Sequence, residues 1–125
     1  MMNYLTLEDA ITIHNSQTQA FGGRPGILDI GLVTAAVLTP ENGFFDDIIE
    51  EAAAMWVNFT MNGGFVSGNE TTGFACTEIF LDINGYELNE DHSAVADFIL
   101  SSLRLETFTK RDVEIWLRGA VSEKS

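Results

Sequence analysis

Apolar positions recur at helical spacing through most of this chain, and strand-like alternation is never sustained. Leu7, Ala10, Ile11, His14, Thr18 and Phe21 share one face of a helix, which the Thr6–Asp9 capping signal opens and Gly22-Gly23 closes. Asp29 is placed to cap a short helix that ends near Leu38, before Pro40, and Asn42-Gly43 reads as a turn. A longer helix is expected from about Phe45 to Met61. Asp46, Asp47, Glu50 and Glu51 load its first turns, which suits the helix dipole, and Ile48, Ala52, Met55, Trp56 and Phe59 form its stripe. Ala52-Ala53-Ala54 permits close helix packing.

A second core helix is expected from Thr71 to Asn84, with Ala75, Cys76, Ile79, Phe80 and Ile83 on one face and Gly85 as the glycine that ends it. Asn89 or Asp91 opens another helix, with Val95, Phe98, Ile99 and Ser102 on one side. Thr109 with Asp112 repeats the capping signal ahead of Val113, Trp116, Leu117 and Ala120. The pattern predicts an all-α fold: a bundle of about six helices around the central pair 45–61 and 71–84, with Trp56, Phe59, Ile79 and Phe80 buried.

The 125 residues fit one domain covering 1–125, large enough to bury roughly two-thirds of its unfolded surface. Hydrophobic residues make up 46%, too many for a disordered tail. The start, Met1-Met2-Asn3-Tyr4, lacks the basic and apolar regions of a signal peptide, and no stretch approaches a membrane span. Cys76 is the only cysteine, which fits a reducing, cytoplasmic setting. Net charge is −13, from 19 acidic and 6 basic residues. That charge disfavours nucleic acid and anionic membranes as partners. It leaves a solvated acidic surface, a surface matched to a basic partner, or adaptation to high salt.

Candidate chemistry gathers in one loop, Asn62-Gly63-Gly64-Phe65-Val66-Ser67-Gly68-Asn69-Glu70-Thr71-Thr72-Gly73-Phe74. It leaves one apolar helix and opens onto another, where backbone N–H groups can face an anion. The acidic run at 46–51 has metal-ligand residue types but no histidine beside it, so no metal site is expected. Elsewhere, His14 sits on an apolar stripe and reads as a satisfied core histidine, His92 as a surface residue, and Cys76 as a small buried apolar group. Arg24 reads as a solvated loop arginine, with a phosphate or carboxylate contact as the alternative.

The loop resembles the motif His-x-Phe-x-Asp-Gly-Asn-Lys-Arg of the Fic/Doc family, and most closely its Doc-type "death on curing" toxins. Phe65, Gly68 and Asn69 match it. Gly63 stands at the histidine, Ser67 at the acidic residue, Glu70 at the lysine and Thr71 at the arginine. Gly22-Gly23-Arg24-Pro25-Gly26-Ile27-Leu28-Asp29-Ile30-Gly31-Leu32 also resembles a Doc segment, with Leu28 and Thr34 in place of its arginine and glutamate. Asn42-Gly43-Phe44 and Ile83-Asn84-Gly85-Tyr86 extend the likeness, which runs from about Leu5 to Trp116.

The resemblance implies the fold, and a chemistry that the substitutions undercut. Fic proteins generally transfer AMP from ATP to a hydroxyl, and Doc-type members transfer phosphate to a threonine of translation elongation factor Tu. The motif histidine takes a proton, the acidic residue holds magnesium, and the cations hold phosphates. Gly63 supplies no base, a loss typically of about 10²–10⁴ in rate. Ser67 is a poor substitute for a carboxylate on magnesium, Thr71 removes a bidentate clamp, and Glu70 reverses a charge.

The expectation is therefore a Doc-like pseudoenzyme that acts by binding a protein, in the way a toxin of this family receives an antitoxin helix in an apolar groove. ATP, magnesium and elongation factor Tu enter only under the alternative, an active transferase using Ser67, Asn69 and a histidine such as His14. Gly68 and Asn69 would then be the phosphate contacts. A third reading is a fold retained for self-association. A decayed site should keep its backbone path through Phe65, Gly68 and Asn69, so that Gly63→His, Ser67→Asp, Glu70→Lys and Thr71→Arg together would recover nucleotide binding.

Overall fold

The structure is a computed structural model, and it describes residues 2–125. Helices dominate: α1 (Leu7–Phe21), α2 (Ile30–Val37), the single turn α3 (Thr39–Asn42), α4 (Ile48–Asn62), α5 (Asn69–Ile83), α6 (His92–Arg104) and α7 (Lys110–Ala120). Two short strands, β1 (Tyr86–Leu88) and β2 (Val121–Glu123), pair antiparallel with Glu87 opposite Ser122.

Polar side chains start the helices where the sequence indicates. At α1 the Thr6 hydroxyl accepts from the Asp9 N–H at 3.1 Å while the Asp9 carboxylate accepts from the Thr6 N–H at 2.8 Å. Asp29 caps α2, Asp91 caps α6 and Thr109 caps α7, each through a side-chain oxygen that accepts from the N–H of Leu32, Ala94 and Asp112 respectively.

The central pair is α4 and α5, each in its most extensive contact with the other, and α7, α3 and α2 surround α4. The helices approach closely at Gly73, where an added Cβ would lie 2.8 Å from Phe59 Cβ. Trp56 lies at the centre of an aromatic cluster with ring centroids 5.5 Å from Phe108, 5.6 Å from Phe74, and 5.9 Å from Phe98 and Trp116. Ile48, Ala52, Met55, Trp56, Phe59 and Phe80 are all buried, as the stripes require.

Several expectations need correction. The long helix begins at Ile48, not Phe45, because Asp47 is extended and its carboxylate accepts from the Glu50 N–H at 3.0 Å. Its partner begins at Asn69, two residues before Thr71, because Gly68 takes the left-handed conformation that starts it. Ile79 is 38% exposed and Ile83 is exposed too, because Cys76 and Phe80 occupy the inward face and these two lie beyond its edge. Phe21, at the end of α1, is 73% exposed. Pro40 stops α2, but Thr39–Asn42 then makes a helical turn, since proline is tolerated in a first turn. The strands are three residues each, too short to show alternation.

An ion network ties α7 to the start of α4. Arg118 meets Asp47 and Glu114, each at 2.9 Å, and Lys110 meets Glu50 at 2.7 Å. Arg118 hydrogen bonds hold the Asp47 carboxyl below its ordinary range, and the Lys110 bond does the same for Glu50. Groups depressed in the folded state contribute stability above their unfolded pKa and lose it as pH falls through the folded value. Burial pushes Glu51 the other way, so its charge opposes folding above its folded pKa. Arg118→Ala should therefore lower Tm at pH 7 and flatten the fall of Tm with acidification below about pH 4, the unfolded carboxylate range. Thermal melts from pH 3 to 7 (about the carboxylate titration range) check this; parallel curves for both proteins would contradict it.

Candidate functional site

The loop 63–68 is built against the 24–29 segment by backbone bonds. Gly64 O accepts from Leu28 N–H at 2.7 Å and Asp29 N–H at 2.9 Å, Val66 N–H donates to Gly26 O at 3.1 Å, and Ile27 bridges to Phe65. Gly64 is obligatory here: an added Cβ would collide with the Asp29 carbonyl oxygen and lie 2.9 Å from Val33 Cγ2. Gly68, at φ 77°, makes the left-handed turn into α5, whose first turn has no side-chain cap.

Three polar side chains of the loop, Asn69, Ser67 and Thr71, are already engaged. Asn69 staples it: its amide oxygen accepts from Phe65 N–H at 3.0 Å and its amide NH₂ donates to Phe65 O at 3.1 Å. The Ser67 hydroxyl accepts from Arg24 N–H at 2.8 Å and donates to Arg24 O at 3.2 Å. Thr71 donates to Gly68 O at 3.2 Å. His14, 1% exposed, lies against Phe65 with ring centroids 3.8 Å apart, and its Nε2–H donates to Ser67 O at 2.8 Å. His14 is thus a satisfied buried histidine, but one that clamps the loop; its position on the apolar face was legible, its loop partner was not. Arg24 meets the loop through its backbone rather than its guanidinium.

Gly63 closes α4 in extended conformation. An added Cβ there would lie 2.5 Å from the Phe59 carbonyl oxygen and collide with the Asn69 side chain. The expected family path therefore meets a difficulty at this position: the backbone as it stands leaves no room for a histidine. Glu70 is exposed on the first turn of α5. Burial, helped by nearby Asp9, pushes the Cys76 thiol up to about 12, so it is no thiolate at neutral pH. Among the described residues no three His, Cys, Asp or Glu side chains gather as metal ligands.

Beside the loop lies a groove of about 410 Å³ between α1, α5 and α6. Phe21, Phe74, Ile99 and Leu100 supply its apolar wall, and Glu70 and Glu78 its acidic part. Sequence reasoning did not bring these residues together as a groove, because Phe21, Glu70, Phe74 and Leu100 come from three different helices.

Residues 4–81 match the Fic/DOC family. A relative named Toxin Doc, from Mycolicibacterium smegmatis, is 34% identical over 96 residues, covering 73% of this chain and 72% of that protein. The chain belongs to the Fic/DOC family. The family match takes in the whole loop and α1 through most of α5. No described helix of this Fic/DOC chain is long and apolar enough to cross a membrane.

Proposed function

We propose that this chain is a Doc-type toxin homologue without phosphotransfer activity, which works by binding a protein helix in the groove between α1, α5 and α6. One observation carries the reading: Ser67, Asn69 and Thr71 are bonded within the protein, and Glu70 puts a negative charge on the first turn of α5. These residues do not fit a magnesium nucleotide. Ser67 is neutral with its hydroxyl spent on Arg24, and positions 70 and 71 carry no cation. Against the active alternative, His14 is buried and its Nε2–H is committed to Ser67 O. Gly68 and Asn69 shape the loop rather than offer side chains to a ligand.

The groove favours an amphipathic helix with apolar anchors and flanking Lys or Arg, since its wall is aromatic and aliphatic and Glu70 and Glu78 flank it. An antitoxin-type helix would be such a partner, and the relative is itself named a toxin. The test is calorimetry and stopped-flow binding with the protein encoded by the adjacent upstream reading frame. Leu100→Glu, at a residue 66% exposed in the groove wall, should weaken binding at least about tenfold. Association should slow with added salt. Binding that ignores both Leu100→Glu and salt would contradict the proposal.

A further inference from the structure

A second surface, separate from the groove, is apolar and is drawn mostly from a stretch of chain poor in charge. Ile27, Leu28, Ile30, Leu32 and Val66 are all exposed, Leu28 by 79%, and none of them lines the groove. The chain folds them together: Val66 N–H reaches Gly26 O, Leu28 N–H reaches Gly64 O, and Gly64 abuts Leu32. Between Asp9 and Glu41 the only charged residues are Arg24 and Asp29, in a chain whose net charge is −13.

That distribution of charge selects the occupant. Two copies of so acidic a chain repel each other over most of their surface, and this face is where they can meet without like charges opposed. A basic partner would be drawn instead to the carboxylates elsewhere. In a two-fold contact the same patch serves both copies, so each side offers one cation and one anion. Arg24 makes no ion pair among the described residues, and Asp29 spends one carboxylate oxygen on the Leu32 N–H. We propose that the surface formed by Ile27, Leu28, Ile30, Leu32 and Val66 joins two copies of this chain in a two-fold dimer, with Arg24 of each facing Asp29 of the other.

Sedimentation equilibrium of the full chain tests this. The expected result is a concentration-dependent dimer that tightens with salt, because screening relieves the net repulsion. Leu28→Glu, at an exposed site, should raise the dimer dissociation constant at least about tenfold, while Leu100→Glu in the groove leaves it unchanged. Arg24→Asp and Asp29→Arg should each weaken self-association, and mixing the two variants should restore a dimer, a rescue that a merely structural role would not give. A monomer at all concentrations to about 1 mM would overturn the proposal. So would a dimer that survives Leu28→Glu or dissociates with Leu100→Glu.

Discussion

Trp56→Ala should destabilise the fold by about 3 kcal/mol and lower Tm by on the order of 10 °C for a chain of this size. Trp56 is fully buried, and its ring is shared by four aromatic neighbours from three other helices and the loop before α7. Truncation of a core aromatic typically costs roughly 3–5 kcal/mol. The lower end is expected because the Trp56 indole N–H has no hydrogen-bond partner among the described residues, and removing an unsatisfied donor returns part of its desolvation cost. Trp56→Phe should accordingly be much milder, since it keeps most of the ring volume and removes the same donor. Thermal melts followed by near-ultraviolet circular dichroism decide the matter: a Trp56→Ala variant that melts with the parent would mean that the α4–α5–α7 core is wrongly drawn.

The second large effect is expected at the loop, where two single substitutions should separate. Glu70→Lys should give the greatest gain in ATP affinity of any single change. It exchanges repulsion for attraction at an exposed site, and each exposed charge contact is worth about 0.2–1 kcal/mol, so the reversal amounts to roughly 2–30-fold. Gly63→His should give no gain and should lower stability by about 1–3 kcal/mol, because its Cβ has to displace either the end of α4 or the Asn69 staple. The quadruple variant Gly63→His, Ser67→Asp, Glu70→Lys, Thr71→Arg should therefore exceed the Glu70→Lys single variant in ATP affinity only if the loop shifts at position 63. Calorimetry on each folded variant checks the order. If Gly63→His alone confers binding without loss of Tm, the steric account of that position is wrong.

The helices and their caps were legible because each is local. Thr6, Asp29, Asp91 and Thr109 act within three residues, and the stripes of α4 and α7 follow one period. The errors came where tertiary contacts decide. Ile79 belongs to the helical pattern of α5, but nothing in the pattern says how wide the covered face is. The β1–β2 pair joins residues far apart in the chain through three-residue segments. At the loop, the motif positions could be read but not their bonding. That His14 clamps Ser67, that Asn69 staples Phe65, and that Gly63 has no space beside it are facts of contact across α1, α4 and α5. The groove is likewise assembled from three helices and leaves no signature in sequence order, whereas all but one of the patch residues lie within 27–32.

The most direct test of the central claim is a calorimetric titration of the unmodified chain with ATP, with and without magnesium. The claim is that the loop, closed by its own hydrogen bonds and carrying Glu70 at its mouth, holds no nucleotide. The account predicts no saturable heat up to about 1 mM ATP in either condition. A magnesium-dependent dissociation constant in the low micromolar range would contradict it.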